Sequence, residues 1–405
     1  MKILYISSLN APERASILEH SLKEKILNHQ AQKFNFLMIN GLVNNGCSVE
    51  HLTTCSHLSR LAKRKYLKSD VNYYFGMKFY SLPVLFIPVL QFIFAFFYTF
   101  FFIINWTIKN KEKKVIICDV NEVFHSFGAL VAAKIMKVNT VAIVTDLPEN
   151  AVGNKKTSNY IKRLVIILYK KFTRLFINGF HSYVILTQQM NDIINRKQKP
   201  YVIIEGLVDK NLKFKDNLLE NKHKSKVLLY AGLLEEKYGV NMLVEAFSKN
   251  IHLNSELHLY GKGGSEDTIK AFSRKDDRIK YMGLVPNNII VDEEIRATLL
   301  INPRPTDQEF TKYSFPSKNM EYMVSGTPVL TTALPGMPKE YFNHIYIINE
   351  ETVEGLTNSI NYILSLPSNE LHKFGLEAKK FVLNEKNNEK QVKKILNMLK
   401  QIDKN

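Results

Sequence analysis

The stretch Ser314 to Val329, SFPSKNMEYMVSGTPV, reads as a loop that enters a helix and leaves it into a strand. Pro316 suits the first turn of a helix, where its missing N–H costs no hydrogen bond. Gly326 stands where a positive φ is commonly needed past a helix end, and Thr327-Pro328 blocks continuation before the apolar Val329-Leu330. A helix start of this kind leaves backbone N–H groups free, and their aligned dipoles favour a phosphate. Lys318 lies in the first turn and Glu321 three residues on, so both share one face. The cation can meet a phosphate while the carboxylate accepts from a ribose hydroxyl. The plainer alternative for the same residues is a basic helix start with a solvated Glu.

Upstream, the same kind of unit repeats. Strand VLLYAG (Val227 to Gly232) turns at Gly232 and leads to Lys237, just before a helix over about Gly239 to Phe247, a position suited to a diphosphate. Strand LHLYG ends in Gly261-Lys262-Gly263-Gly264, which binds phosphate in some folds and makes ordinary turns in many more. Strand IKYMG, a turn at Pro286 and strand TLLIN (Thr298 to Asn302) follow, and Pro303-Arg304-Pro305 breaks the last, placing Arg304 and Glu309 in a loop. Downstream come the loop Leu334-Pro335-Gly336-Met337-Pro338 and a last strand at Tyr346 to Ile348. Glu389 to Ile402 reads as a terminal helix that packs back on the first domain.

The N-terminal half opens as a second α/β series. Ile3 to Ile6 is a buried strand, a helix runs over roughly Asn28 to Asn44, and Asn45-Gly46 turns into the strand Val49 to Leu52. No G-x-G-x-x-G accompanies it, so no dinucleotide cofactor is assigned. Val115 to Asp119, Thr140 to Thr145, Tyr183 to Thr187 and Tyr201 to Ile204 continue the sheet, with a helix from His125 to about Lys137. His125, at a helix start beyond a strand, is either a residue of a catalytic cleft or a capping one. Thr157 to Asn178 reads as an amphipathic helix whose stripe of Ile161, Leu164, Val165, Leu168, Tyr169, Phe172, Leu175 and Phe176 faces a core, with a basic solvated back.

Leu82 to Ile108, LPVLFIPVLQFIFAFFYTFFFIINWTI, is apolar from Val89 to Ile104 but for Gln91, Tyr98 and Thr99, and four lysines follow by Lys114. The run falls just short of the usual bilayer-crossing length. A core helix, a span and an interfacial helix all fit; aromatic density with a Lys-rich end favours the interfacial one. The chain of 405 residues carries a formal charge of +17, from 55 basic and 38 acidic residues, and its 45% hydrophobic content is that of a globular protein. Basic residues concentrated around Arg60 to Lys68, Lys109 to Lys114 and Lys162 to Arg174 suit an anionic membrane surface. No nucleic-acid motif accompanies the charge. Cys47, Cys55 and Cys118 match no metal-ligand spacing and read as reduced thiols of the cytoplasm. The first residues lack the apolar length and cleavage site of a secretory signal.

Gly232 with Lys237, the loop at Gly261, INPRP, SFPSKNMEYMVSGTPV and Pro335-Gly336 together resemble the family-4 retaining glycosyltransferases of the GT-B fold, bacterial polysaccharide-assembly type. EGLVD (Glu205 to Asp209) and TDLP (Thr145 to Pro148) extend the likeness into the first half. The resemblance implies an α/β fold of two Rossmann-like parallel-sheet domains facing across a cleft. It implies an acceptor-binding, membrane-associated domain over 1–209, a linker over 210–225, a nucleotide-sugar domain over 226–385, and the terminal helix over 386–405. It implies Lys237, Lys318, Glu321 and Glu309 as catalytic candidates, to which position at a helix start adds His125, and Gly232, Gly261, Arg304, Tyr313, Ser317 and Gly336 as donor-binding ones. The family's pair of Glu residues is incomplete: Glu321 matches the second, but Tyr313 stands where the first would be, with Glu309 nearby. Leu233 replaces the family's diphosphate-binding Arg, leaving Arg304 or Lys318 to supply that charge.

The expected activity is metal-independent transfer of a hexose, with no cofactor, from a nucleoside diphosphate sugar to a lipid-linked or saccharide acceptor. The expected site of action is the inner face of the cell membrane, with the protein bound peripherally. The absence of a D-x-D motif agrees with transfer without a metal. A nucleotide-sugar 2-epimerase and a catalytically silent partner of an active transferase are the competing readings.

Overall fold

The computed structural model describes residues 1–21, 29–54, 62–63, 65–147, 160–212, 215–252 and 254–402. They fall into two compact units, 1–207 with 388–405, and 208–387. The first is built on an eight-stranded sheet whose spatial order is Tyr201–Ile203, Ser182–Ile185, Asn139–Val144, Lys114–Asp119, Lys2–Ser7, Ser48–Thr53, Met77–Ser81 and Asp70–Tyr74. Neighbours are parallel except the last pair. The second unit holds six parallel strands in the order Ile279–Gly283, Ser255–Tyr260, Lys226–Ala231, Leu299–Asn302, Val329–Thr331 and Tyr346–Ile347. The central strands of both sheets read as continuous apolar runs because helices cover both of their faces.

The hairpin Asp70–Tyr74 with Met77–Ser81 has no counterpart in the sequence reading. Its turn places Phe75 at φ 49° and Gly76 at φ 71°, both left-handed as a tight hairpin turn requires. The usual signal for that turn is Asn-Gly or Asp-Gly, and a Phe in the first position conceals it.

Alternation separates the two faces of the first sheet. Ile3, Tyr5, Ile117 and Ile143 point into a core with Leu37, Met38 and Ile39 of the helix His29–Asn44 and with Val392, Ile395 and Leu399 of the terminal helix Asn388–Ile402. Gly41 lets these two helices approach closely, since a Cβ there would lie 2.5 Å from the Asn388 carbonyl oxygen. Gln391 adds a hydrogen bond to the Gly206 carbonyl at 3.1 Å. Residues 210–225, expected as a linker, lie inside the second unit. There Asn217 donates to Ser325 O and Thr327 Oγ1, and Lys222 donates to the carbonyls of Ile295 and Ala297. Polar side chains dock this segment, so hydrophobic patterning does not reveal it.

On the other face lie Leu90–Lys109, Val123–Ile135 and Tyr160–Ile177. Leu90–Lys109 extends beyond the apolar run and, by length and composition, is sufficient to cross a bilayer. It is nonetheless bolted to its neighbour: a Cβ on Gly128 would lie 2.4 Å from the Phe96 carbonyl oxygen. Its buried residues are Thr99, Ile103, Trp106 and Thr107, with Trp106 Nε1 donating to Glu50 at 2.6 Å. Phe97 and Phe101 face outward. Thr99 and Thr107 are therefore inside, while Phe94, Phe97 and Phe101 are outside.

The amphipathic helix is corrected in the same sense. It spans Tyr160–Ile177, and only its Phe172 and Phe176 end reaches the interior, where Phe172 meets Phe127 at 5.0 Å between ring centres. Leu164, Val165, Leu168 and Leu175, assigned to the core by periodicity, are exposed. Thr157 and the side chain of Ile161 lie outside the described residues, as do Cys55, Arg60 and Arg64. Cys47 and Cys118 are free thiols.

Candidate active site

The helix of the opening motif spans Ser317–Ser325, with Pro316 as its cap rather than in its first turn. Gly326 closes it at φ 78°, as expected from its position. Asn302, at the end of its strand, donates to Asn319 Oδ1 at 2.6 Å, and Asn319 donates to Thr331 Oγ1 at 3.3 Å. This buried network fixes the first turn of the helix against two strand ends. The helix N-terminus consequently opens at the C-terminal edge of the parallel sheet, where open α/β folds hold their ligands.

Lys318 turns inward from that first turn. Its chain lies over Gly232, where a Cβ would stand 2.8 Å from Lys318 Cε and 3.0 Å from Nζ. Any side chain at position 232 would displace the ammonium. Burial lowers the pKa of Lys318, while Glu321 and the buried Glu294 pull it back up. A partly desolvated cation of this kind gains strongly from an arriving anion. Glu321, one turn on, is exposed on the outer face of the same helix.

Arg304 forms the other wall. Its guanidinium lies over the Phe310 ring at 4.5 Å and the Tyr238 ring at 5.3 Å. Burial lowers its pKa as well, and its Nε is buried without a hydrogen-bond partner among the described residues. Lys237 is exposed, with its ammonium 5.2 Å from the same Tyr238 ring. Gly239, at φ 79°, permits this juxtaposition: a Cβ there would lie 2.0 Å from the Pro303 carbonyl oxygen. Tyr230, whose hydroxyl donates to the Leu233 carbonyl at 2.9 Å, stands between Gly232 and the pair Tyr238 and Arg304.

The structure thus brings together Gly232, Lys237, Arg304 and Lys318, with Glu321 exposed one turn beyond Lys318. Gly261 joins them through its backbone, since a Cβ on it would lie 1.8 Å from the Gly232 carbonyl oxygen. Ser317 is exposed at the helix start, Tyr313 half-buried at the end of the short 3-10 helix Glu309–Tyr313, and Gly336 buried in the loop after Val329–Thr331. Glu309 is exposed at the other end of that short helix. Tyr230, at the end of the strand Lys226–Ala231, and Tyr238 and Phe310, in short 3-10 helices, were missed because their pattern marks them as core or turn residues and not as neighbours of a cation. Among the described residues no cluster of three metal-ligating side chains occurs.

His125 belongs to the first unit. It is 4% exposed, and its Nδ1 lies 2.8 Å from Thr99 Oγ1 of the apolar helix. That contact joins Leu90–Lys109 to the helix Val123–Ile135. At the C-terminal edge of the first sheet, burial raises the carboxyl of Asp119 to about 6, opposed by a hydrogen bond from Asn35.

Residues 212–381 match the family described as glycosyl transferases group 1. Comparison with curated protein sequences returned no match. Among solved structures the chain is similar to sucrose-phosphate synthase from Thermosynechococcus elongatus, at 14% identity and a TM-score of 0.62 with 99% of both chains covered. It is similar to the lipopolysaccharide outer core galactosyltransferase WaaB in its apo form, at 13% identity and a TM-score of 0.61 with 99% of both covered. A third similarity is to Anabaena HepE in complex with UDP and glucose, at 12% identity and a TM-score of 0.57 with 99% of both covered.

Proposed function

We propose that this chain, whose residues 212–381 match the family described as glycosyl transferases group 1 and whose fold is similar to that of GT-B enzymes, moves a hexose from a UDP-sugar to an acceptor hydroxyl with retention of configuration. The observation that carries this reading is the ammonium of Lys318 lying over Gly232 at an open helix N-terminus. The Anabaena neighbour, which holds UDP and glucose, supports the choice of donor.

In the proposed step the bond from the sugar's anomeric carbon to the diphosphate oxygen breaks. The acceptor oxygen bonds to that carbon on the same face, and its proton passes to the leaving diphosphate. The task of the protein is to stabilise charge that grows on the diphosphate. Lys318, Arg304 and Lys237 supply three cations and the helix start supplies N–H donors. Glu321 accepts from the ribose hydroxyls. Glu309 and Tyr313 are assigned to the sugar, and Ser317, Gly261 and Gly336 to close backbone approach. His125 is assigned to positioning the apolar helix. No cofactor or metal enters this reading.

The first unit is proposed to lie on the inner face of the cell membrane and to serve a lipid-linked acceptor of polysaccharide or glycolipid assembly. Its outward-facing aromatic helix supports that placement. The test is transfer from a panel of UDP-sugars to a membrane glycolipid extract, read by mass spectrometry. Lys318→Ala should reduce turnover by roughly 10²–10³-fold at an unchanged melting temperature, and Glu321→Ala should weaken UDP binding in calorimetry. Wild-type turnover in Lys318→Ala would overturn the assignment, and conversion of a UDP-sugar with no acceptor present would point to the epimerase.

A further inference from the structure

The helix Tyr160–Ile177 and the segment Gln188 to Arg196 enclose a groove of about 450 Å³. Its floor is apolar, with Ile167, Leu175 and Ile193, and its rim carries Lys170, Lys171 and Arg196. Among the described residues no ion pair takes up any of these three cations, and Asp192, exposed on the adjoining helix, joins none of them. A solvated surface normally scatters such lysines over polar ground; here they ring an apolar opening.

The surroundings narrow the ligand. Leu164, Val165 and Leu168 continue the apolar floor outward along the same helix, all exposed. Beyond the intervening Val123–Ile135, the helix Leu90–Lys109 turns Phe94, Phe97 and Phe101 outward on the same side of the sheet. A ligand that fills the groove therefore carries an anion at one end and enters a wide apolar layer at the other. A soluble sugar phosphate meets the first condition but not the second, whereas a short peptide with acidic residues would leave the helix faces uncovered.

We infer that the groove seats the phosphate of an anionic phospholipid while its bilayer receives the open faces of the two helices. The inference rests on the membrane placement proposed above and adds a discrete site to it. In that arrangement Lys170, Lys171 and Arg196 meet the phosphate, with the lipid chains along Ile167 and Leu168. Cations of this type snorkel to the headgroup level while their stems stay against apolar surface.

The experiment compares vesicle binding of the full chain by sedimentation, using phosphatidylcholine alone and phosphatidylcholine with phosphatidylglycerol. The triple variant Lys170→Gln, Lys171→Gln, Arg196→Gln is set against a control of equal charge change, Lys275→Gln, Lys373→Gln, Lys380→Gln. Three headgroup contacts correspond to a loss of about 100-fold in partitioning to the anionic vesicles, with binding to neutral vesicles kept. The control triple is expected to lose less than about threefold, as diffuse attraction does. Equal losses in the two triples would overturn the discrete site while leaving membrane binding intact. Wild-type chain that binds neither vesicle overturns both readings, and release from the anionic vesicles by millimolar inorganic phosphate would assign the groove to a soluble anion.

Discussion

The two faces of the first sheet are covered by helices of the same one-sided composition and opposite exposure. On one face the terminal helix Asn388–Ile402 turns Val392, Ile395 and Leu399 onto the sheet, with Val392 fully buried. On the other, Tyr160–Ile177 leaves Leu168 at 56% and Leu175 at 66% exposure, and Leu90–Lys109 leaves Phe101 at 63%. A period of 3.6 shows that a helix has an apolar stripe. It does not show what covers the stripe. The closed face obtains its cover from the chain itself, whereas on the open face Leu164, Val165, Leu168, Leu175, Phe97 and Phe101 are left exposed among the described residues. Contiguous open apolar surface of this kind marks an interaction site in folded proteins.

The sharpest way to break this comparison is to place the same carboxylate on each face. Ile395→Asp buries a charge among aliphatic side chains and should cost about 3–5 kcal/mol, lowering the melting temperature by roughly 10 °C. Leu168→Asp should change stability by less than about 0.5 kcal/mol, as surface substitutions do, yet weaken binding to vesicles. Calorimetry of both variants reads the first effect and sedimentation with vesicles the second. A melting temperature for Leu168→Asp as low as that of Ile395→Asp would mean that the open face is covered in the free protein.

The two faces also meet at one group. Asp119 accepts from Asn35 of the closed-side helix at 3.1 Å, and its carbonyl accepts from Ser126 of the open-side helix at 2.9 Å. Its carboxyl is raised from 3.8 to about 6, chiefly by burial. A folded-state pKa above the unfolded one favours the protonated form. The contribution is complete below about pH 4 and is lost as pH rises through about 6, amounting to about 3 kcal/mol. Asp119→Asn removes that dependence, so its melting temperature relative to wild type should rise between pH 4 and pH 7. Parallel pH profiles for the two proteins would show that Asp119 titrates normally.

How much of this was legible in the sequence follows from the same contrast. The central strands were legible because burial on both faces demands unbroken apolar runs, as in Val115 to Asp119 and Val227 to Ala231. The position of Lys318 at a helix start was legible from Pro316 and Gly326, but the face it was expected to share with Glu321 was not, since Lys318 turns inward over Gly232 and Glu321 is exposed. The short range of that argument is also why it missed the packing of Arg304 on Tyr238, which joins distant segments where Gly239 lets the backbone approach the Pro303 carbonyl. His125 had two readings from its position, and its contact with Thr99 joins two separate helices, which neither reading foresaw. The open stripe of Tyr160–Ile177 was misplaced because periodicity carries no information on its partner.

The smallest effects test whether the open-face helix is as firmly held as the closed one. Gly41→Ala sets a methyl against the Asn388 carbonyl and Val392 Cγ2 on the closed face, and Gly128→Ala sets one against the Phe96 carbonyl on the open face. Neither site gives way by rotating a flexible side chain alone, because backbone lies within 2.5 Å in both. Each change should cost about 1–3 kcal/mol through overpacking. Equal losses in melting temperature would show that Leu90–Lys109 is a fixed part of its unit. Were Gly128→Ala silent while Gly41→Ala is felt, the apolar helix would be free to leave its neighbour, and a helix long enough to cross a bilayer would then be expected to insert as a whole.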